Sequence, residues 1–166
     1  GESLLPGCMA SLEAAGFIDA VKAKGFQEKF GAKFQRGSEV CDFTFADKHT
    51  PGWSWTWQVP RAEFDQTLAD EVSKMGVIVD YETEVTAISF EGTKSTTTVR
   101  SKHGESKVHA RFIVDASGYG RVIPRLLGLD RPSNLPPRKA IFAHLQDPRR
   151  DAYDEPKRII IISHAD

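Results

Sequence analysis

The apolar pattern changes from strand-like to helical across a single residue, Pro60. Upstream, Trp53, Trp55, Trp57 and Val59 alternate with Ser54, Thr56 and Gln58. That alternation puts the large apolar side chains on one face of a strand and the polar ones on the other. Downstream, residues 61–75 place Phe64, Leu68, Val72 and Met75 on one helical stripe, with Gly76 as the stop. A half-buried strand feeding directly into an amphipathic helix requires a fold that interleaves both elements. All-helical and all-strand architectures are thereby excluded.

The rest of the chain extends this pattern. Residues 8–24 have apolar residues near helical spacing with a break at Gly16, which predicts two short helices or one kinked helix, ended by Gly25. The stretches 26–37 and 40–45 alternate as strands. Together with 53–59 they are expected to form one antiparallel sheet with an apolar face. Residues 77–80 read as a short buried strand. Residues 84–90, 96–101 and 106–112 read as a meander with turns at Glu91-Gly92 and His103-Gly104. Strands are also expected at 112–115, 139–145 and 158–162, a helix at 122–127, and a proline-rich loop at 131–138. The expected class is mixed α/β.

Composition narrows the function. With 40% hydrophobic and 27% charged residues and a net charge of −1, the chain offers no electrostatic case for nucleic acid or an anionic membrane. No apolar run approaches the roughly 18 residues that cross a bilayer, and with no basic n-region and apolar h-region at its start a signal peptide is not expected. Cys8 and Cys41 are too few for a disulfide framework and read as buried or free thiols of a reducing, cytoplasmic setting. The five histidines are dispersed, which argues against a metal site. The chain opens Gly1-Glu-Ser-Leu-Leu-Pro6 without methionine and ends just after an apolar run, so it is expected to be a piece of a longer protein.

The strongest candidate for chemistry is R-F-I-V-D-A-S-G-Y-G-R-V-I at 111–123. An apolar strand there delivers Asp115 at its carboxyl end, followed by small residues and a helix. In open α/β sheets, ligands bind beyond the carboxyl ends of strands. Gly118 and Gly120 let backbone approach a ligand, and the Asp115 carboxylate can accept hydrogen bonds from ribose or ribityl hydroxyls. A plain strand–turn–helix corner capped by Asp115 has the same spelling, and spacing alone leaves both readings open.

Three segments in order resemble the flavin-dependent halogenases and the group A FAD-dependent monooxygenases: G-E-S-L-L-P at 1–6, Q-V-P-R-A-E-F-D-Q-T-L at 58–68, and F-I-V-D-A-S-G-Y-G-R at 112–121. The resemblance implies part of an FAD/NAD(P)-binding fold with an antiparallel substrate-domain sheet. Residues 1–25 and 61–130 would be FAD-domain elements, and 26–60 and 138–166 substrate-domain strands. It implies FAD as cofactor, contacted by Arg61, by the backbone at Val85, and by Asp115 and Gly118. It also implies a lysine that directs the halogenating species. Lys29, five residues before Phe34, fits the family spacing, although an exposed lysine at a strand start would look the same.

The implied activity is that of an FAD-dependent oxidoreductase, halogenase-like, on an aromatic or other hydrophobic small molecule. Reduced flavin would come from a flavin reductase. Aromatic hydroxylases, geranylgeranyl-reductase-like saturases and a non-catalytic fragment that holds no FAD alone are the alternatives. W-T-W-Q-V-P at 55–60 is spelled like the halogenase W-x-W-x-I-P signature, but it precedes D-A-S-G, whereas the family's signature follows it. It therefore reads as a sheet strand whose tryptophans face the substrate side. The true signature, and a Gly-Asp segment that contacts the ribityl chain, would be expected after Asp166, and a G-x-G-x-x-G unit before Gly1.

Overall fold

A computed structural model describes residues 1–164, so the last two residues of the expected 138–166 segment lie outside it. The helices are α1 (Pro6–Ala14), α2 (Ile18–Ala23), α3 (Arg61–Lys74) and α4 (Val122–Leu126). The strands are β1 (Gln27–Lys29), β2 (Gly31–Arg36), β3 (Glu39–Thr44), β4 (Thr56–Gln58), β5 (Glu84–Glu91), β6 (Lys94–Ser101), β7 (Gly104–Ala110) and β8 (Arg158–Ser163). The class is mixed α/β, as expected. Among the described residues no helix is long and apolar enough to cross a membrane. The chain forms two compact units, Gly1–Val79 with His144–Asp166, and Asp80–Ala143.

In the first unit, α1 starts with Pro6 in its first turn, where a missing N–H costs nothing. Gly16 adopts φ +76° and separates α1 from α2, as the pattern predicted. The core gathers Leu4, Met9, Leu12, Val21, Phe26, Trp57, Val59 and Phe64. It thus joins the opening loop, both short helices, β4 and the buried face of α3. Gly76 at φ +85° follows α3. Met75, the last residue of the expected stripe, is exposed.

The single antiparallel sheet expected from 26–37, 40–45 and 53–59 does not form. Instead β1 pairs with β4, and β2 lies between β3 and β8 in a second sheet. The break is at Phe30. Its amide donates to the Lys157 carbonyl at 3.1 Å and its carbonyl accepts from the Phe45 amide at 2.8 Å, so the chain changes partners there. The β2–β8 pairing is parallel, Gly31 opposite Arg158 through Arg36 opposite Ser163.

The tryptophan run enters the ladder only at Thr56–Gln58. Its rings still share a face, stacked edge to face at centroid distances of 5.6 Å (Trp53–Trp55) and 4.9 Å (Trp55–Trp57). Gly31 is a close-approach position, because a Cβ there would collide with the Phe43 carbonyl and the Arg158 guanidinium. Gly31→Ala is expected to destabilise by about 1–3 kcal/mol, as overpacking does. A urea titration checks this.

The second unit is built on the meander β5–β6–β7, antiparallel throughout, as predicted. A bulge shifts the register between Val85 and Ala87. The strands expected at 77–80, 112–115 and 139–145 are not in any ladder. Ile78, Phe112, Ile141 and Leu145 are all exposed. Apolar composition alone does not make a strand: the backbone needs a neighbouring strand to bond with, and these stretches have none among the described residues. The proline-rich stretch 131–138 is irregular, as expected.

Candidate functional site

Lys29 is not the exposed strand-start lysine that its sequence position also allowed. It is 2% exposed. Its Nζ donates to Ser3 Oγ at 2.6 Å and to the Leu4 carbonyl at 2.5 Å. It also lies 5.3 Å from the centroid of the Phe45 ring, in cation–π range. The local register explains this placement. Lys29 is opposite Thr56 across the β1–β4 pair. On the far side of β4, Ser3 bridges to Gln58, and the Leu4 amide donates to the Trp57 carbonyl at 3.2 Å. The lysine side chain therefore reaches over β4 to the opening loop. Burial pushes the ammonium below its ordinary value of 10.5, and the neighbouring Cys8 opposes that shift. Phe45 also lines a cleft of about 350 Å³ with Phe43, Pro51 and Trp53.

The sequence held no signal for two of the groups around this loop. Glu2 is bound by His144 Nε2 at 2.9 and 3.1 Å. That contact, together with the Arg61 amide, holds the Glu2 carboxyl below its usual range. His144 lies 142 positions away in sequence, inside a stretch expected to be a strand. Arg61 opens α3 in the same unit. Its guanidinium pairs with Asp65 at 2.6 Å and lies 5.6 Å from the Phe64 ring. The pair is about half exposed, so the guanidinium remains open to exchange its partner for another anion. Cys8 and Cys41 are free and exposed.

The other expected cofactor residues lie in the second unit. Asp115 Oδ1 accepts from the Ser117 amide and Oδ2 from the Ile123 amide, both at 2.9 Å. The carboxylate thus fastens the turn onto α4, and the Ser117 hydroxyl first, then the Ser117 and Ile123 amides, hold its pKa below the ordinary 3.8. Gly118 follows at φ +56°, with open space where a Cβ would point. Val85 lies on β5, an edge strand of its sheet. It lines an open groove of about 650 Å³ with Thr86, Arg100, Val122, Arg125 and Leu126. The structure thus brings Val85 together with the helix that Asp115 caps.

These residues suit the nucleotide half of a dinucleotide cofactor. An edge strand leaves alternate backbone donors and acceptors for a base edge, two arginines flank the groove, and an open glycine turn admits close approach. Each Asp115 oxygen keeps lone-pair capacity beyond its amide bond.

Asp115 also makes a pH prediction. A carboxyl whose folded pKa is lowered contributes stability above the unfolded value and loses it as pH falls through the folded one. Acidification to below the ordinary 3.8 is therefore expected to release the Ser117 and Ile123 amides. Their NMR shifts should move together with the Asp115 carboxyl resonance.

Comparison with known proteins identifies the family. The family model for the FAD binding domain matches residues 1–161. A tryptophan 2-halogenase from Chondromyces crocatus is 33% identical over 121 residues, 71% of this chain and 23% of that protein. A solved flavoprotein/dehydrogenase from Cytophaga hutchinsonii superposes with a TM-score of 0.78 at 61% identity, over 82% of this chain and 34% of that one. The flavin-dependent halogenase CmlS superposes with a TM-score of 0.70 at 35% identity, over 77% of this chain and 24% of that one. The chain spans about a quarter of the length of the curated relatives first matched. With the match running over nearly all its residues, the chain belongs to the FAD-binding domain family of flavoproteins.

Proposed function

We propose that the protein containing this chain is an FAD-dependent, halogenase-like oxidoreductase acting on an aromatic or other hydrophobic small molecule. The observation that carries this reading is Lys29, a buried ammonium held by the Gly-Glu-Ser-Leu-Leu-Pro loop at Ser3 Oγ and the Leu4 carbonyl. Arg61, the Val85 backbone, Asp115 and Gly118 are the cofactor contacts: Arg61 for an anionic group, Val85 for the adenine edge, Asp115 for a ribose or ribityl hydroxyl, and Gly118 for the pyrophosphate. When bound, reduced flavin with dioxygen supplies the two-electron oxidant that converts halide to hypohalous acid.

Lys29 holds that acid by a hydrogen bond from Nζ and directs it to the substrate. There an aromatic C–H is exchanged for C–X, with release of water. The aromatic wall of Phe43, Phe45 and Trp53 suits an aromatic substrate, and its Phe45 ring lies 5.3 Å from Lys29 Nζ. A separate flavin reductase is the proposed electron donor, and a reducing, cytoplasmic setting suits the free thiols.

A second reading, an FAD-dependent dehydrogenase, is favoured by the 61% identity to the solved flavoprotein/dehydrogenase. One experiment distinguishes them. The full-length protein is mixed with FAD, a flavin reductase, NADH, oxygen and chloride, and hypohalous acid is trapped with monochlorodimedone. Chlorinated trap, together with shifted flavin absorbance and a raised melting temperature on FAD addition, supports the halogenase. Flavin binding with no chlorinated trap and no chlorinated product supports the dehydrogenase.

A further inference from the structure

Thr56 sits opposite Lys29 in the β1–β4 pair, and directly opposed residues project to the same face of a sheet. It is fully buried, and its Oγ1 has no hydrogen-bond partner among the described residues. Buried hydroxyls are rarely left so, because the lost hydration is not recovered. Lys29 meanwhile has three N–H donors, and its hydrogen bonds are to Ser3 Oγ and the Leu4 carbonyl. A spare donor on an ammonium and an unsatisfied hydroxyl thus share one sheet face, and the ammonium lies 5.3 Å from the Phe45 ring that lines the cleft.

We propose that Thr56 is the positioning residue for the small polar molecule carried by Lys29: its hydroxyl provides the second hydrogen bond, so that the molecule is held at two points. The inference rests on the halogenase reading, in which that molecule is hypohalous acid. A neutral acid HOX both accepts and donates. It takes a hydrogen bond from Nζ and exchanges one with the Thr56 hydroxyl, which fixes the direction in which X points. One contact alone would retain the acid without orienting it.

The test compares Thr56→Val, which keeps the branched shape, with Thr56→Ser, which keeps the hydroxyl, both in the full-length protein. The readouts are halogenated product per flavin oxidised, free hypohalous acid caught by monochlorodimedone, and the melting temperature. The proposal expects Thr56→Val to lower product per flavin by about tenfold, the effect of one lost hydrogen bond. Trapped hypohalous acid should rise and melting temperature should not fall. Thr56→Ser should restore the coupling. Wild-type coupling in Thr56→Val, with a raised melting temperature, would show a merely unsatisfied hydroxyl and overturn the proposal. So would a Thr56→Ser variant as uncoupled as Thr56→Val. A wild-type protein that makes no hypohalous acid overturns the halogenase reading itself.

Discussion

Replacing Lys29 by methionine in the full-length protein is expected to cut halogenated product by about a thousandfold while flavin oxidation continues, an effect of the size that a positioned proton-transferring group contributes. Methionine is the informative substitution because Lys29 is buried. It keeps most of the stem that crosses β4 and removes the ammonium. Ser3 Oγ and the Leu4 carbonyl lose their donor, so some loss of stability accompanies the change. The decisive comparison is between two rates in one sample. Flavin oxidation reports the cofactor site, and product reports halogen delivery. If both fall together, the variant has disturbed the fold. If product alone falls, the ammonium acts after the oxidant is made.

The largest effect on stability is expected at Trp57. It is 3% exposed, lies in the core with Met9, Val21 and Phe64, and meets Trp55 edge to face at 4.9 Å. Trp57→Ala removes this ring from a packed site. Truncations of that kind cost about 3–5 kcal/mol, a large fraction of the 5–15 kcal/mol that holds a typical domain together. Because β4 also carries Thr56 and pairs with Lys29, loss of this anchor should disorder the lysine site with the core. Trp53, only partly buried, is the internal control, and Trp53→Ala should cost distinctly less. Thermal denaturation of both variants followed by circular dichroism compares them.

The contrast between these two residues reflects what the sequence could reveal. Local periodicity was sufficient wherever an element's partners are its neighbours. The meander β5–β7, the helix Arg61–Lys74 and the break at Gly16 all follow from short-range pattern and turn chemistry. It failed where pairing is distant. Nothing near Gly31 indicates that β2 takes β8 as a parallel neighbour more than a hundred residues on, or that the chain switches sheets at Phe30. Likewise, apolar stretches at 77–80 and 139–145 look like strands, yet they have no ladder to join among the described residues.

The candidate site divides in the same way. Residue type and spacing singled out Asp115 and Gly118 as candidates, and the family resemblance pointed to Lys29. Spacing did not reveal that Lys29 is buried against Ser3 and Leu4, that Thr56 is its unsatisfied neighbour, or that His144 reaches Glu2. Those facts depend on how β4 and the opening loop come together, which no short-range pattern encodes.

The central claim concerns halogen delivery from Lys29, and one measurement tests it most directly. The full-length protein, supplied with reduced FAD, oxygen and bromide, is offered a panel of phenols, indoles and pyrroles, and the products are read by mass spectrometry. The account predicts a product carrying the paired isotope signature of bromine with wild-type protein, and about a thousandfold less of it with Lys29→Met. A product that is only hydroxylated or dehydrogenated, or bromination at an undiminished rate in Lys29→Met, would contradict it.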